Sequence, residues 1–199
     1  TNNDSGYETA IEFKKNGINP LVVDIRKNSG SAIIKEAENL NINIHFSSGV
    51  VNVKGYSKVK SAIVGKLNNN KSAYKSLENI ICDCVCVSGN WTPTVHLSSQ
   101  SGNKLKFDDK VNAFIPNQSK QKENTVGSAN GSFTLKKTLE EGHNTGYQLS
   151  KKITGKNLDT QIPTSNERKY ETQDNFWCMP LPKNKNYKRC VDFQNDVYV

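Results

Sequence analysis

Hydrophobic residues are sparse along this chain and fall into short periodic runs separated by long polar intervals. Leu21-Val22-Val23-Asp24-Ile25, following Pro20, reads as a short strand. Ile33, Ile34, Ala37 and Leu40 share one face of a helix over 32–40, with Ser31 placed to cap it. Residues 41–46 alternate, and Val50 to Lys54 answer them across Ser47-Ser48-Gly49, which predicts a β-hairpin. Val59, Ala62, Ile63 and Leu67 recur at helical spacing over 57–67, and Asn68-Asn69-Asn70 stops that run. Ile80 to Val87 is the most apolar stretch and predicts a strand that carries Cys82, Cys84 and Cys86.

Beyond Trp91-Thr92-Pro93 the pattern turns extended, with strands expected at 94–98 and 105–115. Residues 116–131 are small and polar and hold no core-forming pattern. Phe133, Leu135, Lys137 and Leu139 alternate with polar residues, and Tyr147, Leu149, Lys151 and Ile153 repeat the same order. This predicts two strands joined by Glu140 to Gly146, with one apolar and one Thr/Ser/Gln/Lys face. A polar stretch covers 155–176, and 191–199 can close with a last short strand. Together the elements predict an α+β protein. Its N-terminal half, 1–100, has two short helices and an antiparallel sheet. Its C-terminal half is elongated, antiparallel and β-rich, with the amphipathic hairpin in 101–165 and a tail at 166–199.

Composition sharpens this outline. The 199 residues have room for one compact domain or two small ones, and only 34% are apolar at a mean hydropathy of −0.69. Asn, Ser and Thr are abundant and favour loops and exposed strands over helix interiors. Such a composition excludes a coiled coil and a multispan helical membrane protein. The net charge of +8 draws the surface to anionic partners, and Lys183, Lys185, Lys188 and Arg189 form its densest anion-binding run. Arginine occurs only at 26, 168 and 189, which argues against specific nucleic-acid readout.

Cys82, Cys84 and Cys86 are expected to bridge toward Cys178 and Cys190, with at least one thiol left over. The tight Cys-x-Cys-x-Cys spacing lacks the knuckles of a zinc site, so no metal is expected. Sequons at Asn3, Asn70, Asn90, Asn117 and Asn130, without a long apolar run, fit a secreted protein. No phosphate-cradling glycine motif, metalloprotease motif or nucleophile elbow occurs, so no cofactor is expected.

Two short motifs carry candidate chemistry. Ile44-His45-Phe46-Ser47 and Val95-His96-Leu97-Ser98 resemble the paired signatures of 2H phosphoesterases. That resemblance implies one imidazole as base, the other as acid, and Ser47 and Ser98 as phosphate holders in a secreted ribonuclease toxin. The 104–165 region, which contains the hairpin, resembles the Ser/Thr-rich insertion region of aerolysin-like β-pore-forming toxins, and the small Lys/Asn-rich chain is similar to the yeast killer toxins. This second resemblance implies a secreted, non-enzymatic cytotoxin that binds a target-cell membrane or surface glycan and oligomerises into a β-barrel pore. Phe133, Leu135, Leu139, Tyr147, Leu149 and Ile153 would then face lipid. Lys137 and Lys151 would sit at the interface, since each costs about 2–4 kcal/mol at the midplane. No specific nucleic acid is expected as a partner. A glycan-binding module using Trp91, Trp177 and the tyrosines as sugar platforms is the third reading.

Overall fold

In the computed structural model the described residues are 1–89, 91–157, 159–166, 176, 179–180, 190–192 and 197–198. Trp177, Cys178, Lys183, Lys185, Lys188 and Arg189 lie outside them, as does the side chain of Cys190. The chain combines helices with antiparallel sheets, an α+β mixture, and divides into two compact units. One is Thr1–Gly89 with Asp174–Val199, and the other is Asn90–Gln173.

The first unit begins with helix α1, Ser5–Lys15, a helix beyond those expected from the hydrophobic pattern. Tyr7, Ala10 and Ile11 form its buried face, Lys14 and Lys15 complement the helix dipole in its last turn, and Gly17 at φ 81° follows its end. Strand β1, Leu21–Asp24, and helix α2, Ala32–Asn39, fall where the hydrophobic pattern places them. Ser31 occupies the cap position of α2 in extended geometry, yet its hydroxyl makes no capping bond. Strand β2, Asn43–Phe46, runs parallel to β1 in the register Leu21↔Asn43 to Asp24↔Phe46. The parallel pairing corrects the expected hairpin of 41–46 with 50–54. A strand–helix–strand crossover brings β2 back beside β1, and α1 and α2 cover the pair. Tyr7, Ala10, Ile11, Val22, Ile33, Ile34, Ala37 and Ile42 make the core, each large aliphatic side chain contributing about 1.5–3 kcal/mol by burial.

Thr1 extends this parallel arrangement. Its nitrogen donates to the Val23 carbonyl at 2.7 Å, and its carbonyl accepts from Ile25 N at 3.1 Å. These two bonds straddle Asp24 in the slanted pattern of a parallel ladder, so β1 lies between Thr1 and β2. Asn2, Asn3 and Asp4 then turn the chain directly into α1.

A three-stranded antiparallel meander follows: β3 Ser48–Gly55, β4 Val59–Leu67 and β5 Tyr74–Ile81, with β4 central. Residues 57–67 are therefore a strand and not the expected helix. Val59, Ile63 and Val64 are β-branched, and the segment hydrogen-bonds to a neighbour on both sides, which outweighs its helix-like spacing. Strand β5 ends at Ile81, so the cysteine run leaves the sheet and the expected 80–87 strand is not formed. Cys82, Cys84 and Cys86 are free thiols, in place of the expected bridges, and the Cys84 and Cys86 sulfurs lie 3.9 Å apart.

In the second unit, 94–98 is not a strand. Helix α3, His96–Gln100, takes its place. The stretch 105–115 divides into a hairpin of β6, Lys104–Asp108, and β7, Ala113–Gln118, with Phe107 and Phe114 edge to face at 5.4 Å. The largest correction concerns 133–154, where a single helix α4, Leu135–Thr154, replaces the two expected strands. Thr134 caps it by accepting from Lys137 N, and Gly155 at φ 70° ends it. The residues expected to form a loop hold the helix in place. Glu141 accepts from Gly127 N at 2.9 Å and from the Ser132 hydroxyl, and lies 3.9 Å from Lys137 one turn earlier. Short strands β8, Cys190–Asp192, and β9, Val197–Tyr198, pair near the end of the chain.

Two glycines should respond oppositely to alanine. A Cβ on Gly6 would sit 2.7 Å from the Cβ and Oγ1 of Thr1, so Gly6→Ala should lower stability by about 1–3 kcal/mol by separating α1 from the strand layer. Gly142 lies in α4 with open space around it, so Gly142→Ala should raise stability by up to about 1 kcal/mol. Chemical denaturation midpoints measure both.

Candidate functional site

Parallel strands joined by helical crossovers present their carboxyl ends, and the helix N-termini beside them, as the natural place for a ligand. In this chain that place is formed by the end of β1, the 1–5 turn and the first turn of α1. Asp24 is the last residue of β1 and is fully buried, with Tyr7 equally buried beside it on α1. The Tyr7 hydroxyl donates to Asp24 Oδ2 at 2.8 Å. Arg26, two residues on, folds back over the same carboxylate. Its Nη2 donates to Oδ2 at 2.9 Å, its Nε to both oxygens at 3.2 Å, and its backbone N–H to Oδ1 at 2.8 Å. The other arm of the guanidinium, Nη1, donates to Asp4 Oδ1 at 2.9 Å. Asp4 is only 3% exposed and Arg26 8%.

Two carboxylates and one guanidinium thus share a nearly dry pocket, with a formal charge of −1 at the α1 N-terminus, where the helix dipole favours it. Burial opposes the Arg26 charge. The hydrogen bonds and charge of Asp24, then those of Asp4, outweigh it and hold the guanidinium pKa above its ordinary value. Burial first, and then the charge and hydrogen bond of Asp24, push the Tyr7 phenol above the ordinary tyrosine value.

The turn before α1 is closed from above by the chain beyond the cysteines. Asn3 Nδ2 donates to the Gly89 carbonyl at 2.5 Å, and the Ser5 and Ser88 hydroxyls lie 2.6 Å apart. Asn3 Oδ1 accepts the first helical N–H, that of Ser5, at 3.0 Å.

The residues singled out from the sequence are placed elsewhere. His45 lies on β2 with Nδ1 3.8 Å from Glu78 Oε2, whereas His96 opens helix α3 in the other unit. Ser47 sits in a turn at φ 49°, and Ser98 is buried, its hydroxyl accepting from Asn103 at 3.0 Å. One motif is a strand and turn, the other a helix, so the paired-strand phosphoesterase arrangement is not formed. Leu135, Leu139, Tyr147, Leu149 and Ile153 lie along α4, and Phe133 stacks at 6.4 Å on Trp91. They build no β-wall. Among the described residues no helix is long and apolar enough to cross a membrane, and no cluster of His, Cys, Asp or Glu forms a metal site. The sequence does not announce the four-residue cluster because Asp4 and Tyr7 are far along the chain from Asp24 and Arg26. The available signal was an acid that ends an apolar strand just after a helix-compatible segment opening Asp4-Ser5-Gly6.

Deleting one carboxylate would leave Arg26 buried and incompletely paired, so Asp4→Ala should cost about 3–5 kcal/mol in denaturant unfolding. Tyr7 adds a pH signature. Its phenol ionises near about pH 10 in the unfolded chain and holds its proton to higher pH when folded. The stabilisation is therefore fully present below about pH 10 and is lost as pH rises above it. Tyr7→Phe should cost about 1 kcal/mol at neutral pH and flatten the alkaline fall in a stability-versus-pH series.

No protein-family model matches the chain. Over 144 residues it is 27% identical to sarcosine oxidase subunit alpha of Corynebacterium sp. strain P-1, and 28% identical to that of strain U-96. Each match covers 71% of this chain, which spans only 15% of the relative's length. Partial structural overlaps occur with L-proline dehydrogenase from P. horikoshii (TM-score 0.45, 18% identity, 72% of this chain and 27% of the other). They also occur with T. acidophilum thioredoxin reductase (0.45, 17%, 64% and 44%) and the bacillithiol disulfide reductase of Staphylococcus aureus (0.46, 15%, 65% and 45%). The similarity to an oxidase subunit overturns the reading of the chain as an aerolysin-like or killer-type toxin. With it go the pore-forming, ribonuclease and glycan-binding functions, the non-enzymatic assignment, and the membrane, glycan and self-assembling partners.

Proposed function

We propose that this chain is part of an oxidoreductase acting on sarcosine or a similar small secondary amine, and that residues 1–89 supply a dinucleotide-type α/β scaffold to it. The carrying observation is the alignment with sarcosine oxidase subunit alpha, which extends over 71% of the chain and so is far more than a shared motif. The topology supports it. Thr1, β1 and β2 run parallel and side by side, and β1 ends in an acid at the position such units use toward a nucleotide ribose.

Oxidising a secondary amine removes two electrons and two protons from a C–N unit. Side chains do not accept electron pairs, so a cofactor supplies that chemistry and the protein supplies binding, orientation and exclusion of water. The match covers 15% of the relative's length, so in that relative the rest of the protein has room to hold both cofactor and amine. The cluster described above contributes rigidity, since none of its groups faces solvent in a form able to take a substrate.

The test is sarcosine-dependent oxygen uptake by the native protein that contains this chain, purified without denaturation. Turnover with sarcosine or another N-methyl amino acid is expected. A preparation that holds a redox cofactor and oxidises none of these amines, with either oxygen or an artificial dye as acceptor, overturns the proposal.

A further inference from the structure

A dinucleotide-binding turn needs three things from its Gly-x-Gly-x-x-Gly segment. The first glycine permits the tight turn, the second lets the pyrophosphate approach the backbone, and the third lets helix and strand pack closely. In this chain the corresponding segment is Thr1-Asn2-Asn3-Asp4-Ser5-Gly6. Its register is set by Gly6, whose missing side chain is what allows α1 to lie against Thr1. The packing glycine is kept and both binding glycines are replaced.

The replacements do more than obstruct. Asn3 Oδ1 takes the Ser5 N–H, one of the donors a phosphate would use at the start of the helix. Asn3 Nδ2 ties the turn to Gly89, and Ser5 meets Ser88, so chain covers the approach. Asp4 brings a buried carboxylate to the place where a pyrophosphate would sit, and its charge repels one. Asp24 occupies the ribose-reading position, but it is fully buried and accepts from Tyr7 and from four donor contacts of Arg26. Those contacts fill the acceptor capacity of a carboxylate, about four lone pairs. The residues present therefore do not fit a bound dinucleotide.

We infer that the nucleotide position of this strand–helix–strand unit is occupied by the protein's own side chains. Asp4 stands in for the pyrophosphate, and Arg26 and Tyr7 stand in for the ribose hydroxyls on Asp24. The unit folds around this internal ion cluster and takes no dinucleotide. Any dinucleotide the protein uses is held by residues outside 1–89.

The inference does not rest on the amine-oxidase reading and is tested without amine turnover. Equilibrium dialysis of the purified 199-residue chain against NAD⁺, NADP⁺ and FAD should show no saturable binding up to ~1 mM ligand. Saturable binding of any of the three below that concentration overturns it. A second arm uses Asp4→Asn, which keeps the shape of the turn and removes the charge. This variant should melt below wild type, and added inorganic pyrophosphate should raise its melting temperature but leave wild type unchanged. A variant too unstable to melt cooperatively supports the internal anion in the same way, with the wild-type dialysis deciding ligand exclusion alone. Wild-type melting in Asp4→Asn, or an equal pyrophosphate shift in both proteins, overturns the assignment of Asp4. Sarcosine turnover with no dinucleotide on this unit would leave both proposals standing, and the two fail through different measurements.

Discussion

Arg26 is the constraint on which the N-terminal unit depends. Taking a guanidinium and two carboxylates out of water costs several kcal/mol per ion, and only close, well-aligned pairing offsets that. The pairing here draws on four places in the chain: Asp4 before α1, Tyr7 within it, Asp24 at the end of β1, and Arg26 just beyond. A slide of α1 along β1 by even one turn would strand at least one charge in an apolar setting. The apolar contacts of Ala10, Ile11, Ile34 and Ala37 tolerate small shifts, whereas the ion cluster does not. The hydrophobic core thus supplies most of the driving force, and the cluster selects the register in which it is used. Tyr7 couples the two, with its ring in the core and its hydroxyl on Asp24.

The elements legible in the sequence were those whose periodicity and packing agree. Leu21 to Asp24 and Ala32 to Asn39 are short, flanked by turn residues and buried on the face their pattern indicates. Period-two alternation also located β2, but alternation identifies a strand and not its neighbour. Parallel pairing with β1 is decided by the α2 crossover, a long-range fact. Segments 57–67 and 133–154 failed in opposite directions. In the first, helical spacing was carried by β-branched residues that prefer a central strand. In the second, Leu135 and Leu139 fit alternation and also the one-turn spacing of a helix, and the cap at Thr134 with the ties of Glu141 settles the matter. Helix α1 was missed because its apolar face is only two turns long and ends in lysines.

The candidate site was less legible than the fold for a related reason. Histidines and cysteines announce chemistry one residue at a time, and the structure places His45 and His96 on separate elements and leaves Cys84 and Cys86 exposed. Asp4, Tyr7, Asp24 and Arg26 carry no such signal singly. Their meaning arises only when the parallel pair brings the end of β1 to the first turn of α1.

A unit that keeps the glycine needed for packing and fills the positions needed for binding has a distinct thermodynamic character. A nucleotide-binding turn leaves helical N–H groups and a carboxylate waiting, and its stability rises with ligand concentration by mass action. In this chain Asn3 already satisfies the Ser5 N–H, Arg26 and Tyr7 already satisfy Asp24, and Asp4 already supplies the anion. The fold is consequently complete without a ligand, and its rigidity does not vary with the supply of nucleotide. A site that empties and fills changes its stability with ligand supply, whereas an internal ion cluster keeps the same shape throughout.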